Sequence, residues 1–183
     1  VERAIVIPDA FSVSEGLLFQ ALTAHYLVHE YREIRPGDRV LVHAAAGGLG
    51  QLLVQWVKHL GAWVVGTTSS DRKADAIRAA GADAVAVYGS DYDFVDEVKA
   101  LTGGKGVDLA FDGLGEKTLM KTLAVLGRGG TVVSIGAASG PAPSIHPTAL
   151  TVRCLRLAGG SVFTYVADPA ELQKRAADVI AAI

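Results

Sequence analysis

Two kinds of apolar pattern alternate along the chain. Short runs of consecutive apolar, often β-branched residues are separated by longer stretches in which apolar residues recur at every third or fourth place. The first kind reads as strands buried on both faces, the second as helices with one covered face. Ser12 and Glu15 form a capping box ahead of Leu17, Leu18, Ala21, Leu22 and Leu27, which predicts a helix toward Tyr31. Pro36 and Gly37 then force a turn. Strands are predicted over Arg39–His43, Trp63–Thr67, Ala84–Tyr88, Val107–Phe111 and Thr131–Ile135, with a sixth over Leu157–Phe163. Between them lie helices over Gln51–Leu60, from the Ser70 cap to Ala80, around Val95, Val98 and Leu101, and over Glu116–Leu126. Near the end, Asp168, Pro169, Ala170 and Glu171 make a second capping box with proline at the first helical position. Leu172, Ala176, Val179, Ile180 and Ile183 follow at helical spacing. Strands joined by helices need right-handed crossovers, and each crossover covers one face of a parallel sheet. The expected class is therefore α/β, a doubly wound parallel six-stranded sheet. Ala137–Pro147, with its glycine and three prolines, is expected to be a surface loop beside a ligand crevice.

The turn between the first strand and its helix carries the most chemistry. It reads Ala45-x-Gly47-x-x-Gly50, the GxGxxG pattern with alanine in first place. The second glycine lets backbone approach a diphosphate, the third lets helix and strand pack closely, and the helix start offers free N–H groups. Alone the pattern is weak, and a tight turn without a ligand is the bland alternative. Its place between strand and helix favours a dinucleotide site in a Rossmann fold. The end of the second strand then chooses the cofactor. An NAD site places a carboxylate there, about 20 residues on, to accept from the ribose hydroxyls. This chain has Thr67, Thr68, Ser69 and Ser70, followed by Arg72 and Lys73. Hydroxyls, cations and a helix start suit a 2′-phosphate, so NADPH is favoured over NADH. Asp71 would repel that phosphate if turned inward, and Lys73 also reads as an ordinary solvated lysine.

Composition narrows the partners. The 183 residues are 50% hydrophobic and 20% charged with a formal net charge of −2, which describes a globular chain without a footprint for nucleic acid. The best candidate for a membrane span is broken by His43, Gln51, Gln55 and Lys58, so none is expected. The single cysteine, Cys154, excludes a disulfide framework and suits a reducing, cytoplasmic setting. Val1, Glu2 and Arg3 do not resemble a translation start, and the last helix runs out without a stop signal. Both ends are expected to be cuts in a longer protein. His25 and His29 have metal-ligand spacing but no third ligand. GLGEKT at Gly113 breaks the order of a phosphate loop, and neither a GxSxG elbow nor a Tyr-x-x-x-Lys pair occurs.

AAAGGLG, the TTSSDRK segment and the ending RLAGGSVFTYV resemble the zinc-independent quinone oxidoreductases of the medium-chain dehydrogenase/reductase superfamily. The likeness covers nearly the whole chain, and VHAAAGGLGQLLVQWVKHLGA is its most specific block. It implies NADPH-dependent reduction of quinones or other α,β-unsaturated carbonyls. It divides the chain into a linker and helix over 1–30 and an NADP(H)-binding domain over 31–183, with a GroES-like substrate domain outside this chain. Carried over by position, it implies that Thr23 lies near the nicotinamide and that Ala46, Gly47, Gly48 and Leu49 surround the diphosphate. Ser69 and Lys73 match 2′-phosphate contacts, Tyr88 a tyrosine beside the adenosine, and Gly113, Ile135 and Gly136 loop positions that pass the cofactor. It also implies a homodimer through the last strand, which Gly159 and Gly160 would weaken. Where relatives often read Thr-Arg-Pro-Ser, this chain has Ala158, Gly159, Gly160 and Ser161. Zinc-dependent relatives carry a ligand cysteine where this chain has Phe19, so no catalytic zinc is expected.

Reducing a conjugated carbonyl needs a hydride donor held against the acceptor and a proton source. Only the first requirement is legible, for His25 and Tyr26 read better as helix packing than as acids, and no catalytic residue is assigned. Two other readings stay open: a non-catalytic NADPH-binding module, and an enoyl reductase domain of a larger synthase. Without a substrate domain the chain alone is expected to be inactive.

Overall fold

The computed structural model describes Ile5 and residues 15–182. The capping role of Ser12 and the position of Ile183 lie outside the described residues. Helix α1 (Glu15–Glu30) leads into a regular alternation: β1 (Arg39–Val42), α2 (Gly48–His59), β2 (Trp63–Thr68), α3 (Asp71–Ala79), β3 (Ala84–Val87), α4 (Val95–Leu101), β4 (Val107–Asp112), α5 (Leu119–Val125) and β5 (Leu126–Ser134). After the irregular stretch at 137–147 come α6 (Thr148–Thr151), β6 (Arg156–Gly159), α7 (Val162–Tyr165) and α8 (Pro169–Ala182).

The strands form one six-stranded sheet in the order β3-β2-β1-β4-β5-β6. Every pairing is parallel. That is the doubly wound Rossmann order, which reverses direction between β1 and β4 and opens a crevice at the carboxyl ends of those strands. Successive side chains of a strand point to opposite faces, so each strand feeds two cores. Val40, Val42, Val64, Leu109, Phe111 and Val133 pack beneath α1, α2 and α8. Leu41, Val65, Ala110 and Val132 pack beneath α4 and α5 on the other face. Two buried faces explain why the strands read as continuous apolar runs.

Several boundaries differ from the sequence expectation. Helix α5 begins at Leu119 rather than Glu116, because Gly115 turns at φ 87° and the Thr118 hydroxyl donates to Asp112 at 2.9 Å, holding 116–118 as a turn. Strand β5 begins at Leu126 rather than Thr131, with a register shift opposite Val107 and Leu109 that absorbs the glycines. The sixth strand stops at Gly159, where its partner Ser134 also ends, so Val162 and Phe163 belong to the short α7. A Cβ at Gly160 would run into the Tyr31 ring. At the start of α8, Asp168 Oδ1 accepts from Ala170 N at 2.9 Å and Glu171 N at 3.0 Å, as its capping position predicts. Among the described residues no helix is long and apolar enough to cross a membrane.

Candidate functional site

The crevice is built by the glycine turn. Ala44 takes a left-handed φ of 49°, Gly47 N donates back to its carbonyl at 2.9 Å, and Gln51 Nε2 donates to Ala46 O at 2.9 Å. The chain therefore reverses within three residues, and α2 starts at Gly48, earlier than the expected Gln51. Gly47 is the N-cap, with no side-chain cap. The first backbone N–H groups of α2 consequently lack intrahelical partners, at the positive end of the helix dipole. Gly50 is the packing glycine, since a Cβ there would lie 2.5 Å from Ala44 O and 2.6 Å from Ala45 Cα. Gly48 lies under the side-chain amide of Gln20, which ties α1 to the turn.

A cleft of about 500 Å³ opens from this turn toward the ends of β2 and β3. Five of the residues singled out in the sequence line it: Ala46, Gly47, Ser69, Lys73 and Tyr88. Arg72 and Thr68 line it too, so two cations from the first turn of α3 meet the hydroxyls at the end of β2. Asp71 is exposed and is not part of the lining. Ser70 occupies the N-cap of α3 but makes no side-chain cap bond, its carbonyl instead accepting from Lys73 N at 3.0 Å.

Ala44, Ala76, Tyr92 and Leu114 complete the lining, and sequence reasoning did not find Tyr92 or Leu114. Tyr92 stacks on Tyr88 with centroids 4.8 Å apart and 22° between planes, while Lys117 Nζ sits 5.0 Å from its centroid. Its only sequence signal is an aromatic four residues after Tyr88, inside a polar loop. Burial, with Tyr92 beside it, raises the Tyr88 hydroxyl above the ordinary tyrosine range, so that hydroxyl keeps its proton.

The other sequence candidates lie around the cleft. Thr67 is fully buried and its hydroxyl meets His43 Nδ1 at 2.9 Å, so its side chain does not face the cleft. Leu49 packs against the core and Gly50 is buried behind it. Gly113, Ile135 and Gly136 meet at the ends of β4 and β5, where a Cβ on Gly136 would lie 2.8 Å from Gly113 O. Ile135 N donates to Asp112 O at 2.9 Å, which keeps the two loops together. Thr23 is nearly buried on α1, its hydroxyl donating to Phe19 O at 2.8 Å.

Two groups considered as acids have structural partners. Tyr26 is buried and stacks on Tyr165 at 4.7 Å, with burial pushing its hydroxyl up to about 12. His25 stacks on His29 at 4.5 Å and lies 3.4 Å from Asp178. Burial, then His29 and Arg175, lower its pKa. His29 Nδ1 is 2.7 Å from His25 O, so that nitrogen is already engaged. Among the described residues no group of three or more His, Cys, Asp or Glu could hold a metal ion.

Comparison with known proteins places this architecture. Residues 48–182 match the family described as zinc-binding dehydrogenase. The chain is 42% identical over 149 residues to the 2-haloacrylate reductase of a Burkholderia species, covering 79% of this chain and 44% of that protein. A solved mycobacterial quinone oxidoreductase superposes with a TM-score of 0.90 at 40% identity, over 97% of this chain and 55% of that one. The Escherichia coli quinone oxidoreductase complexed with NADPH gives 0.89 at 32% identity, over 100% of this chain and 56% of that one. The chain thus spans about half the length of the relatives it matches. A parallel sheet in Rossmann order, a glycine turn opening its crevice and these matches together identify the chain as a member of the zinc-binding dehydrogenase family, the cofactor-binding domain of a medium-chain dehydrogenase/reductase.

Proposed function

We propose that this chain is the NADPH-binding half of a reductase acting on quinones or other α,β-unsaturated carbonyls. One observation carries the reading: the cleft joins a glycine turn to a strand end bearing Ser69, Arg72 and Lys73, with no carboxylate in its lining. The residues fit the cofactor. Free N–H groups at the start of α2 would hold the diphosphate, and Ser69, Arg72 and Lys73 the 2′-phosphate. Tyr88 and Tyr92 would flank the adenosine, while Gly113, Ile135, Gly136 and Thr23 mark the nicotinamide side. NADPH bound there supplies the hydride. The chain's own part is to orient the nicotinamide and to present one of its faces outward, toward a substrate domain supplied by the rest of a longer protein. The likeness to quinone oxidoreductases and a 2-haloacrylate reductase supports a conjugated acceptor.

The division into 1–30 and 31–183, the GroES-like partner domain and a cytoplasmic setting belong to the same reading. So does a homodimer through β6, which lies at the sheet edge with Arg156, Leu157 and Gly159 exposed. Light scattering of the full-length protein checks the dimer, and a monomer at high concentration sinks it. The activity is tested by steady-state oxidation of NADPH by the full-length protein with menadione as acceptor. Acceptor-dependent turnover is expected. Tight NADPH binding without turnover on any quinone or enone would establish a binding module instead.

A further inference from the structure

Three of the loops that line the cleft leave the sheet from buried polar residues, and those residues are joined to one another. Ala44 follows His43, Thr68 and Ser69 follow Thr67, and Leu114 closely follows Asp112. Asp112 is completely buried. Its Oδ1 accepts from Leu114 N at 2.9 Å, Gly115 N at 3.0 Å and Thr118 Oγ1 at 2.9 Å, and its Oδ2 accepts from Thr122 Oγ1 at 3.0 Å. Thr122 Oγ1 lies 2.8 Å from His43 Nε2, and His43 Nδ1 lies 2.9 Å from Thr67 Oγ1. The chain thus runs from the turn after β4, through α5 and the end of β1, to β2. Main-chain bonds run beside it: His43 N donates to Phe111 O at 3.1 Å, and Ala45 N to Thr67 O at 3.0 Å.

Counting protons gives these bonds one order. Among the described residues Thr122 Oγ1 is the donor to Asp112 Oδ2, for His43 Nε2 stands 4.0 Å off, beyond hydrogen-bond reach. A carboxylate can only accept. If Thr122 gave its single proton to His43, two bare oxygens would face each other across 3.0 Å, both closed to solvent. Thr118 O, also 3.0 Å away, already accepts from Thr122 N at 2.8 Å. Thr122 therefore donates to Asp112, and His43 Nε2 donates to Thr122. Burial holds the imidazole neutral, its pKa lowered to about 4 against the opposing pull of Asp112. The one ring proton sits on Nε2, which leaves Nδ1 to accept from the Thr67 hydroxyl.

The geometry points to Asp112 as a positioning residue that holds three walls of the cleft in register, the turn at Leu114 directly and the segments at Ala44 and at Thr68 and Ser69 through Thr122, His43 and Thr67. Beyond the strand ends, sheet bonds no longer fix one loop against the next. A buried chain in which every donor has a single acceptor permits one arrangement of the loops it joins. The carboxylate lies behind the lining and acts through the backbone it holds. It thereby sets how the strand end carrying Ser69, Arg72 and Lys73 sits against the glycine turn. His43, Thr67 and Thr122 are positioning residues in the same sense. Their effect on a ligand rests on the NADPH reading above, while the hydrogen-bond order does not.

Two measurements on the 183-residue chain test the proposal. Nitrogen-edited NMR of the ligand-free protein at neutral pH reads the His43 ring directly, without any variant that must fold. A protonated Nε2 and a bare Nδ1 are expected, and a proton on Nδ1 overturns the proposal whatever the cleft binds. Calorimetry with 2′,5′-ADP, the adenosine half of NADPH, then compares the wild type with Thr122→Val, Thr122→Ser and Arg175→Ala. Thr122 is fully buried and lines none of the cleft, so its hydroxyl reaches a ligand only through the chain. Binding should weaken about fivefold in Thr122→Val, the equivalent of one hydrogen bond, and return to within about twofold in Thr122→Ser. Arg175→Ala breaks a tie between α1 and α8 away from the cleft and should bind as the wild type does. Equal affinity in Thr122→Val overturns the positioning role, and so does a serine that fails to rescue while folding normally. Equal weakening in Arg175→Ala overturns it too, because general loosening of the fold would then account for the loss. A wild type that binds neither 2′,5′-ADP nor NADPH sinks the reading of the cleft and with it the effect on a ligand, and the NMR result still decides the hydrogen-bond order.

Discussion

Gly50 rests directly on the backbone of Ala45: a Cβ added to the glycine would sit 2.6 Å from Ala45 Cα. That contact sets how closely α2 approaches β1, and hence how the free N–H groups of its first turn are aimed. The neighbour is main chain on both sides, so it cannot swing away as a side chain would. Gly50→Ala should therefore cost about 3 kcal/mol and disturb the turn. Urea denaturation checks this, and a variant as stable as the wild type would show that the turn can shift.

His43 makes stability depend on pH in a definite direction. Its folded pKa, about 4, lies below the ordinary 6.5, so the unfolded chain binds a proton that the folded chain refuses. The neutral ring stabilises the fold fully above about pH 6.5, and that contribution falls as pH drops toward 4. His25, lowered mainly by burial, adds to the loss with the same sign. Denaturation midpoints measured from pH 8 to pH 4 should thus decline below pH 6.5, with a shallower decline in His43→Gln. An unchanged slope in that variant would show that other groups govern the acid limb.

Arg175 ties α8 to α1. Its guanidinium donates to Glu30 at 2.7 Å and Glu171 at 3.1 Å and lies 5.2 Å from the Tyr165 ring centroid, with the side chain only 11% exposed. Lysine cannot reproduce that fork. Arg175→Ala should lower stability by about 2 kcal/mol, and Arg175→Lys should recover little of it. Thermal melting distinguishes this from an exposed pair, whose loss would change stability by less than about 1 kcal/mol.

Much of the fold was legible because its strands are buried on both faces. The strands from Arg39 to Asp112 lie within a residue of their predicted places, since an apolar run with a glycine stop leaves little freedom. The misplaced boundaries share a cause that local pattern does not carry. Thr118 is pulled out of α5 by Asp112, and the end of β6 is set by Ser134 and by the packing of Gly160 on Tyr31. In the site, Ala46, Gly47, Ser69 and Lys73 were visible from the turn and the strand end. Tyr92 was not, because it enters the cleft from an irregular loop through a φ of 55°. Nor was the link between His43 and Asp112, whose partners Thr67 and Thr122 lie far apart in sequence and look like ordinary threonines. Thr67 itself was assigned to the ligand, yet its hydroxyl points inward.

The central claim is that the adenosine end of the cleft reads a 2′-phosphate. Calorimetric titration of this chain with NADPH and NADH, on the wild type and on Lys73→Ala and Arg72→Ala, tests it most directly. The account predicts tighter binding of NADPH and a preference that falls about tenfold or more in each variant, as expected for losing a charge-assisted contact to phosphate. Equal affinity for the two cofactors, or a preference that survives both substitutions, would contradict it.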